Sequence, residues 1–241
     1  MDFNYSEEQL LVQKTAREFA AEQLAPGAAD RDEKMEFPAE QIKMLGEMGF
    51  MGMMVPEEWG GSGFDTVSYS LALEEIAKMD ASAAVPVSVN NSLVCALLYK
   101  YGTDDQKEKY LRKLATGEWL GAFSLSEPQA GSDASNLLTH AEKSGDQYII
   151  NGTKNWVSNG VNSNIVFVFA VTEKGAGHQG ITVLAVTKGS DGFTTGKKEN
   201  KLGIRGSDTC ELYFDDCTVP VKNRIAKEGD GFKIAMSVLD G

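Results

Sequence analysis

The chain has 241 residues, 42% apolar and 24% charged, which is ordinary for a globular protein and enough to bury a sizeable core. Its 35 acidic residues against 23 basic ones give a net charge of -12, which excludes the broad basic face of a nucleic-acid or anionic-membrane binder. Three cysteines with no CxxC pair and two distant histidines argue against a disulfide framework, a zinc site and a histidine-based triad.

The opening "MDFNYSEEQL" is acidic and polar, unlike a signal peptide. Ser6 and Gln9 form a capping box before a helix, in which Val12, Ala16, Phe19 and Ala20 recur at helical spacing until Pro26-Gly27 stops it. Pro38 suits the first turn of the next helix, with Ile42, Leu45 and Met48 along one face. The glycines of "PEEWGGSGFD", Pro56 to Asp65, predict a loop. Tyr69, Ala72, Leu73 and Ile76 mark a further helix, with Glu74 and Glu75 on its surface. Another runs through "SLVCALLYKY" to Gly102, after which Thr103 and Gln106 repeat the capping box and Tyr110, Leu111 and Leu114 supply a buried face. No apolar run approaches the roughly 18 residues of a membrane span, so no membrane insertion is expected, and reduced thiols point to the cytoplasm.

From residue 119 the texture changes. "EWLGAFSLS", "QYIINGTKNWV", "NIVFVFAV", "GITVLAV" and "CELYFDD" are short β-rich runs separated by Gly, Asn, Asp and Ser. Helices first and strands afterwards predict a multidomain α+β protein: an all-α domain over residues 1–118 and a mainly antiparallel β domain, a small barrel or sandwich, over 119–229. No G-x-G-x-x-G follows a strand, so a Rossmann site is not supported. Residues 230–241 begin another amphipathic helix, with Phe232, Ala235, Met236 and Leu239 on one face, which needs a surface to pack on. Gly241 fits either a helix stop or a cut inside a longer protein.

Three segments carry candidate chemistry. "GAFSLSEPQAGSDAS", Gly121 to Ser135, turns from an apolar strand into a loop of hydroxyls and small residues, suited either to an ordinary turn or to holding a polar ring edge or a phosphate. "NGTKNWVSNG" ends a strand on Trp156, Val157 and Ser158, where the indole either joins a core or shields an aromatic ligand. "KKENKLGIRGSDT" is basic in an acidic chain.

With "VPEEWGGSG", "SVNNSL", "YGTDDQKEKYL" and "GFKIAMSVLDG", and in this order, these segments resemble the acyl-CoA dehydrogenase family, above all its short-chain, butyryl-CoA members, along essentially the whole chain. The resemblance implies a helical domain, a middle β domain and a C-terminal helical domain, of which these residues hold the first two. It implies FAD as cofactor, held by Phe123, Ser124, Leu125, Ser126, Gly131, Ser132, Trp156, Val157 and Ser158, with Ser126 at the pyrimidine side of the flavin and Ser158 near N5. Ser132 and Asp240 would contact the acyl-CoA substrate. The implied reaction is α,β-dehydrogenation of a short-chain acyl-CoA to the 2-enoyl-CoA, with electrons passed to electron-transferring flavoprotein and a homo-oligomer in the full-length family. The catalytic carboxylate lies in the family's C-terminal domain, so no catalytic base and no metal site is assigned here, and the chain alone is expected to be inactive. Gln129 stands where the family often has Gly or Asn. Two other readings remain: a non-catalytic module that binds flavin, CoA esters or a protein, and an acyl-CoA oxidase.

Overall fold

The computed structural model describes residues 4–240. The helical part begins with α1 (Glu7–Phe19), α2 (Ala28–Lys34), α3 (Ala39–Glu47) and α4 (Thr66–Met79). The first capping box forms as predicted: Gln9 N donates to Ser6 Oγ at 3.2 Å and Ser6 N to Gln9 Oε1 at 2.9 Å. Helix α2 follows Gly27, whose φ of 87° turns the chain, and has no buried residue, so it leaves no apolar period to read. Pro38 stands just ahead of α3 rather than within its first turn. Glu74 is exposed, but Glu75, expected at the surface, is 2% exposed. Its carboxylate accepts from Gln13, Arg17 and Lys78, so a polar network rather than solvent satisfies it.

The next helix is continuous over Ala81–Tyr101, as α5 (Ala81–Ser88), a π-helical stretch Val89–Cys95, and α6 (Ala96–Tyr101). Its 21 residues carry a single charge, Lys100, so by length and composition it could cross a membrane, contrary to the sequence expectation. Most of it is buried within the fold. Two asparagines of "SVNNSL" explain how. Asn90 donates to Met51 O and Leu114 O and accepts from Gly121 N. Asn91 accepts from Met53 N and donates to Phe50 O. The second capping box, Thr103 with Gln106, starts α7 (Asp104–Gln106), which continues through a π turn into α8 (Arg112–Ala115).

The strands are β1 (Gly121–Ser124), β2 (His140–Ser144), β3 (Gln147–Ser158), β4 (Ile165–Val171), β5 (Ile181–Thr187), β6 (Phe193–Lys198), β7 (Thr209–Pro220) and β8 (Arg224–Ile225). They form one eight-stranded sheet in the order β6-β7-β3-β2-β4-β5-β8, with β1 against β4. The pairings are antiparallel except β1 with β4 and the single His140–Val171 pair of β2 with β4. The expected α+β organisation is therefore present.

Period-two alternation makes β4 the seam of the molecule. Ile165, Phe167 and Phe169 face the helices, packing with Leu97, Leu98 and Leu114, while Val166, Val168 and Ala170 face a second core with Tyr148, Ile150 and Leu212. A third core lies within the helices around Phe19, Leu45, Met51 and Ile76. The last helix, α9 (Gly231–Leu239), packs on the β4–β5 side through Ile234, Ala235 and Val238. Its buried face is rotated from the one predicted: Ala235 is inside, Phe232 and Met236 are partly buried, and Leu239 is 51% exposed.

Candidate functional site

Strand β1 delivers the first wall of a cleft. Ala122 and Ser124 belong to the sheet's outer core face, while Phe123 and Leu125 face the helices. Asn90 holds the strand's first amide at 3.1 Å, and Phe123 packs tilted against Phe169 with ring centroids 4.7 Å apart. After Ser124 the chain folds back on itself, Glu127 N to Ala130 O and Ala130 N to Glu127 O, both at 3.1 Å.

Strand β3 delivers the second wall. Its pairing with β7 slips between Lys154 and Val157. At that bulge Trp156 takes a φ of 58°, in the left-handed region that an aromatic residue rarely enters, and the residue is 61% exposed. Val157 then returns to the core opposite Cys210. Asn155 N donates to Ser126 O at 2.8 Å, which ties the two walls together.

Between them lies a cleft of about 290 Å³, bounded by Phe123, Leu125, Ser126, Gly131 and Ala134 on one side and Asn155, Trp156 and Ser158 on the other. Val89 and Leu93, from the π-helical stretch, and Leu239, from α9, complete it. Of the residues expected at a flavin, Phe123, Leu125, Ser126, Gly131, Trp156 and Ser158 meet here. Ser124 and Val157 are buried and lie outside the cleft's lining. Ser132 and Asp240 are exposed and lie outside its lining; Asp240 adjoins Leu239.

Sequence reasoning missed Lys154. This lysine is fully buried, and its Nζ donates to Glu127 Oε1 at 2.8 Å and to Leu125 O at 3.0 Å. Glu127 also accepts from Leu138 N at 2.7 Å and Thr139 N at 3.0 Å. Burial opposes the charge on Glu127, but the Lys154 charge and these hydrogen bonds outweigh it and hold the carboxyl below its ordinary range. Burial lowers the Lys154 ammonium to about 8, with Glu127 opposing. Tyr148 and Ile150 mark the inward positions of β3, and that alternation already placed Lys154 inside.

The residues present fit a flat aromatic cofactor. The indole is presented by strained backbone, and neither the Ser126 nor the Ser158 hydroxyl has a partner among the described residues, which leaves both free to meet a polar ring edge. Among the described residues, those lining the cleft include no acid. Among the described residues no cluster of three or more His, Cys, Asp or Glu could hold a metal ion.

Known proteins match this chain in sequence and in fold. The acyl-CoA dehydrogenase N-terminal domain matches residues 6–118, and the acyl-CoA dehydrogenase middle domain matches residues 122–217. The short-chain-specific acyl-CoA dehydrogenase of Clostridium acetobutylicum is 46% identical over 241 residues, which are 100% of this chain and 64% of that protein. The butyryl-CoA dehydrogenase structure from Megasphaera elsdenii superposes with a TM-score of 0.96 at 45% identity, over 100% of this chain and 64% of that one. A chain in the structure described as the electron transferring flavoprotein of Acidaminococcus fermentans gives a TM-score of 0.98 at 46% identity, over 100% of this chain and 63% of that one. The chain thus spans just under two thirds of the length of these relatives. On its helical domain, its β domain and its fold, the chain belongs to the acyl-CoA dehydrogenase family.

Proposed function

We propose that the cleft between Ser126 and Trp156 holds the isoalloxazine ring of FAD and that the chain serves the α,β-dehydrogenation of short-chain acyl-CoA thioesters. The observation that carries the reading is an exposed tryptophan, held at a φ of 58° by a bulge, in a cleft with two unpartnered serine hydroxyls. Family membership and the 45–46% identity to short-chain and butyryl-CoA enzymes support it.

When bound, FAD supplies the acceptor for the hydride that leaves the substrate's β-carbon. The chain's own residues bind and orient. Trp156 would cover an aromatic face of the bound ring, and the Ser126 and Ser158 hydroxyls would be available to its polar edges. Phe123, Leu125, Val89 and Leu93 form an apolar floor that keeps water from the reacting carbons. None of the described residues lining the cleft is an acid, so none of them is assigned the removal of the α-proton. Ser132 and Asp240 are assigned to the CoA arm, beside the cleft on the loop and on the end of α9. Electron-transferring flavoprotein as the electron acceptor and assembly into a homo-oligomer belong to the same proposal.

The test is a visible absorption spectrum of the purified chain after loading with FAD and gel filtration, then after anaerobic addition of butyryl-CoA or palmitoyl-CoA. Retained flavin whose absorption bands shift, without bleaching, at lower concentrations of butyryl-CoA than of palmitoyl-CoA is the expected result, since the chain alone is expected to bind but not to turn over. A chain that retains no flavin, or whose flavin ignores both thioesters, refutes the reading.

A further inference from the structure

Beneath the cleft, strand and loop are joined by an ion pair with no access to water: the Lys154 and Glu127 side chains are 0% and 1% exposed, with Nζ and Oε1 2.8 Å apart. The pair reaches both ends of the loop that carries Ser126. Lys154 Nζ holds Leu125 O, just before Ser126, at 3.0 Å. Glu127, just after it, takes the amides of Leu138 and Thr139, where the loop returns to the sheet. On the strand, Lys154 is followed by Asn155, whose amide holds Ser126 O at 2.8 Å, and then by Trp156. These contacts bracket Ser126 on the loop and tie it to the strand that carries Trp156.

Stability does not require such a pair. An apolar pair of the same volume commonly holds a core as well, because two charges lose their hydration on burial. A buried ammonium with two acceptors at fixed distances does something an apolar side chain cannot: it admits one loop position and disfavours its neighbours. We propose that Lys154 and Glu127 are positioning residues that set the separation of Ser126 and Trp156 across the cleft and so fit it to a flat aromatic ring. The ring's identity as flavin rests on the function proposed above; the positioning itself does not.

The experiment compares the parent chain with Lys154→Met and Glu127→Gln by hydrogen exchange without ligand, and then by FAD affinity from flavin fluorescence. The expected result is exchange at least tenfold faster in peptides spanning residues 124–139, with β4 and β5 at parental rates, and an FAD Kd raised at least tenfold. Unchanged loop exchange with an FAD Kd within twofold of the parent overturns the proposal. So does acceleration spread evenly over the sheet, which is the pattern of a purely structural pair. If Lys154→Met fails to fold, Glu127→Gln carries the same expectations, and loss of fold in both variants assigns the pair to stability alone and also overturns the proposal. A parent chain that binds no FAD refutes the flavin reading, while the exchange pattern still decides the positioning role.

Discussion

Replacing Asn90 with alanine tests whether the π-helical stretch holds the strand that leads to the cleft. Asn90 is fully buried and spends its amide on three backbone groups of three different segments. Its Nδ2 donates to Met51 O at 2.8 Å and Leu114 O at 3.0 Å, and its Oδ1 accepts from Gly121 N at 3.1 Å. The three losses are unequal. Leu114 O still accepts from Gly117 N at 3.2 Å, whereas Met51 O keeps only a distant Cys95 thiol, at 3.9 Å, and Gly121 N loses the side chain that holds it. Two buried polar groups left short of partners, at about 1–2 kcal/mol each, give a loss of about 2–4 kcal/mol. For a chain of this size that corresponds to a melting temperature lower by about 5–15 °C. Urea unfolding followed by far-UV circular dichroism measures it, with an unchanged slope and a lower midpoint expected. A loss below about 0.5 kcal/mol would show that Asn90 is not what binds the helix to Met51 and Gly121, and the structural reasoning would fall with it.

Two further outcomes follow from the same structure. Trp156→Gly relieves a φ of 58° and removes the side chain of a residue that is 61% exposed, so the unliganded chain gains about 0.5–1 kcal/mol in urea unfolding while FAD affinity falls more than tenfold; lower stability together with retained flavin binding would contradict both halves of the assignment. Hydrogen bonding from Arg17, against opposing burial and with help from Lys78, holds the Glu75 carboxyl down from 4.5 to about 2. The folded carboxylate stays ionised where the unfolded one protonates, so it contributes stability that is fully present above pH 4.5 and is lost as pH falls toward 2. With Arg17 half-exposed and screened, this amounts to about 1–2 kcal/mol, and Glu75→Gln should flatten that part of the urea midpoint against pH; an identical pH profile for the variant would refute the assignment.

The readable parts of this fold were those where sequence period and burial coincide. Ser6 with Gln9 and Thr103 with Gln106 are complete local signals, because both partners lie within one turn, and both caps formed. Strands β4 and β5 were legible because they are apolar on both faces and lie between turn residues. Glu75 was misread because its partners Arg17 and Gln13 come from another helix, and no local pattern announces them. The buried face of α9 was misread because an apolar stripe of Phe232, Met236 and Leu239 competed with Ile234 and Val238, and only the presence of β5 decides between them. At the cleft, the residues carried by the family resemblance included Ser126, Trp156 and Ser158; the pair that fixes their separation was not among them.

The hidden features of the site share one physical cause. In an unbroken strand, positions 154 and 156 lie on the same face, so Lys154 inside would put Trp156 inside beside it and turn Val157 to solvent. The register slip between Lys154 and Val157 reverses this: Lys154 and Val157 are both buried and Trp156 stands out over the cleft. The facing helix has an analogous irregularity. The π-helical stretch Val89–Cys95 breaks the 3.6-residue period, so that Asn90 and Asn91 turn into the core while Val89 and Leu93 turn toward the cleft. Period-based reading assumes that no residue is added to an element, and both β3 and the helix beside the cleft depart from regular geometry. Such irregularities carry a local cost, visible in the left-handed φ of Trp156, and persist where interior contacts fix the chain around them: the three backbone hydrogen bonds of Asn90 on the helix and a buried ion pair on the strand. It follows that Asn90 and Lys154, although neither lines the cleft, are the positions at which substitution should alter its shape most.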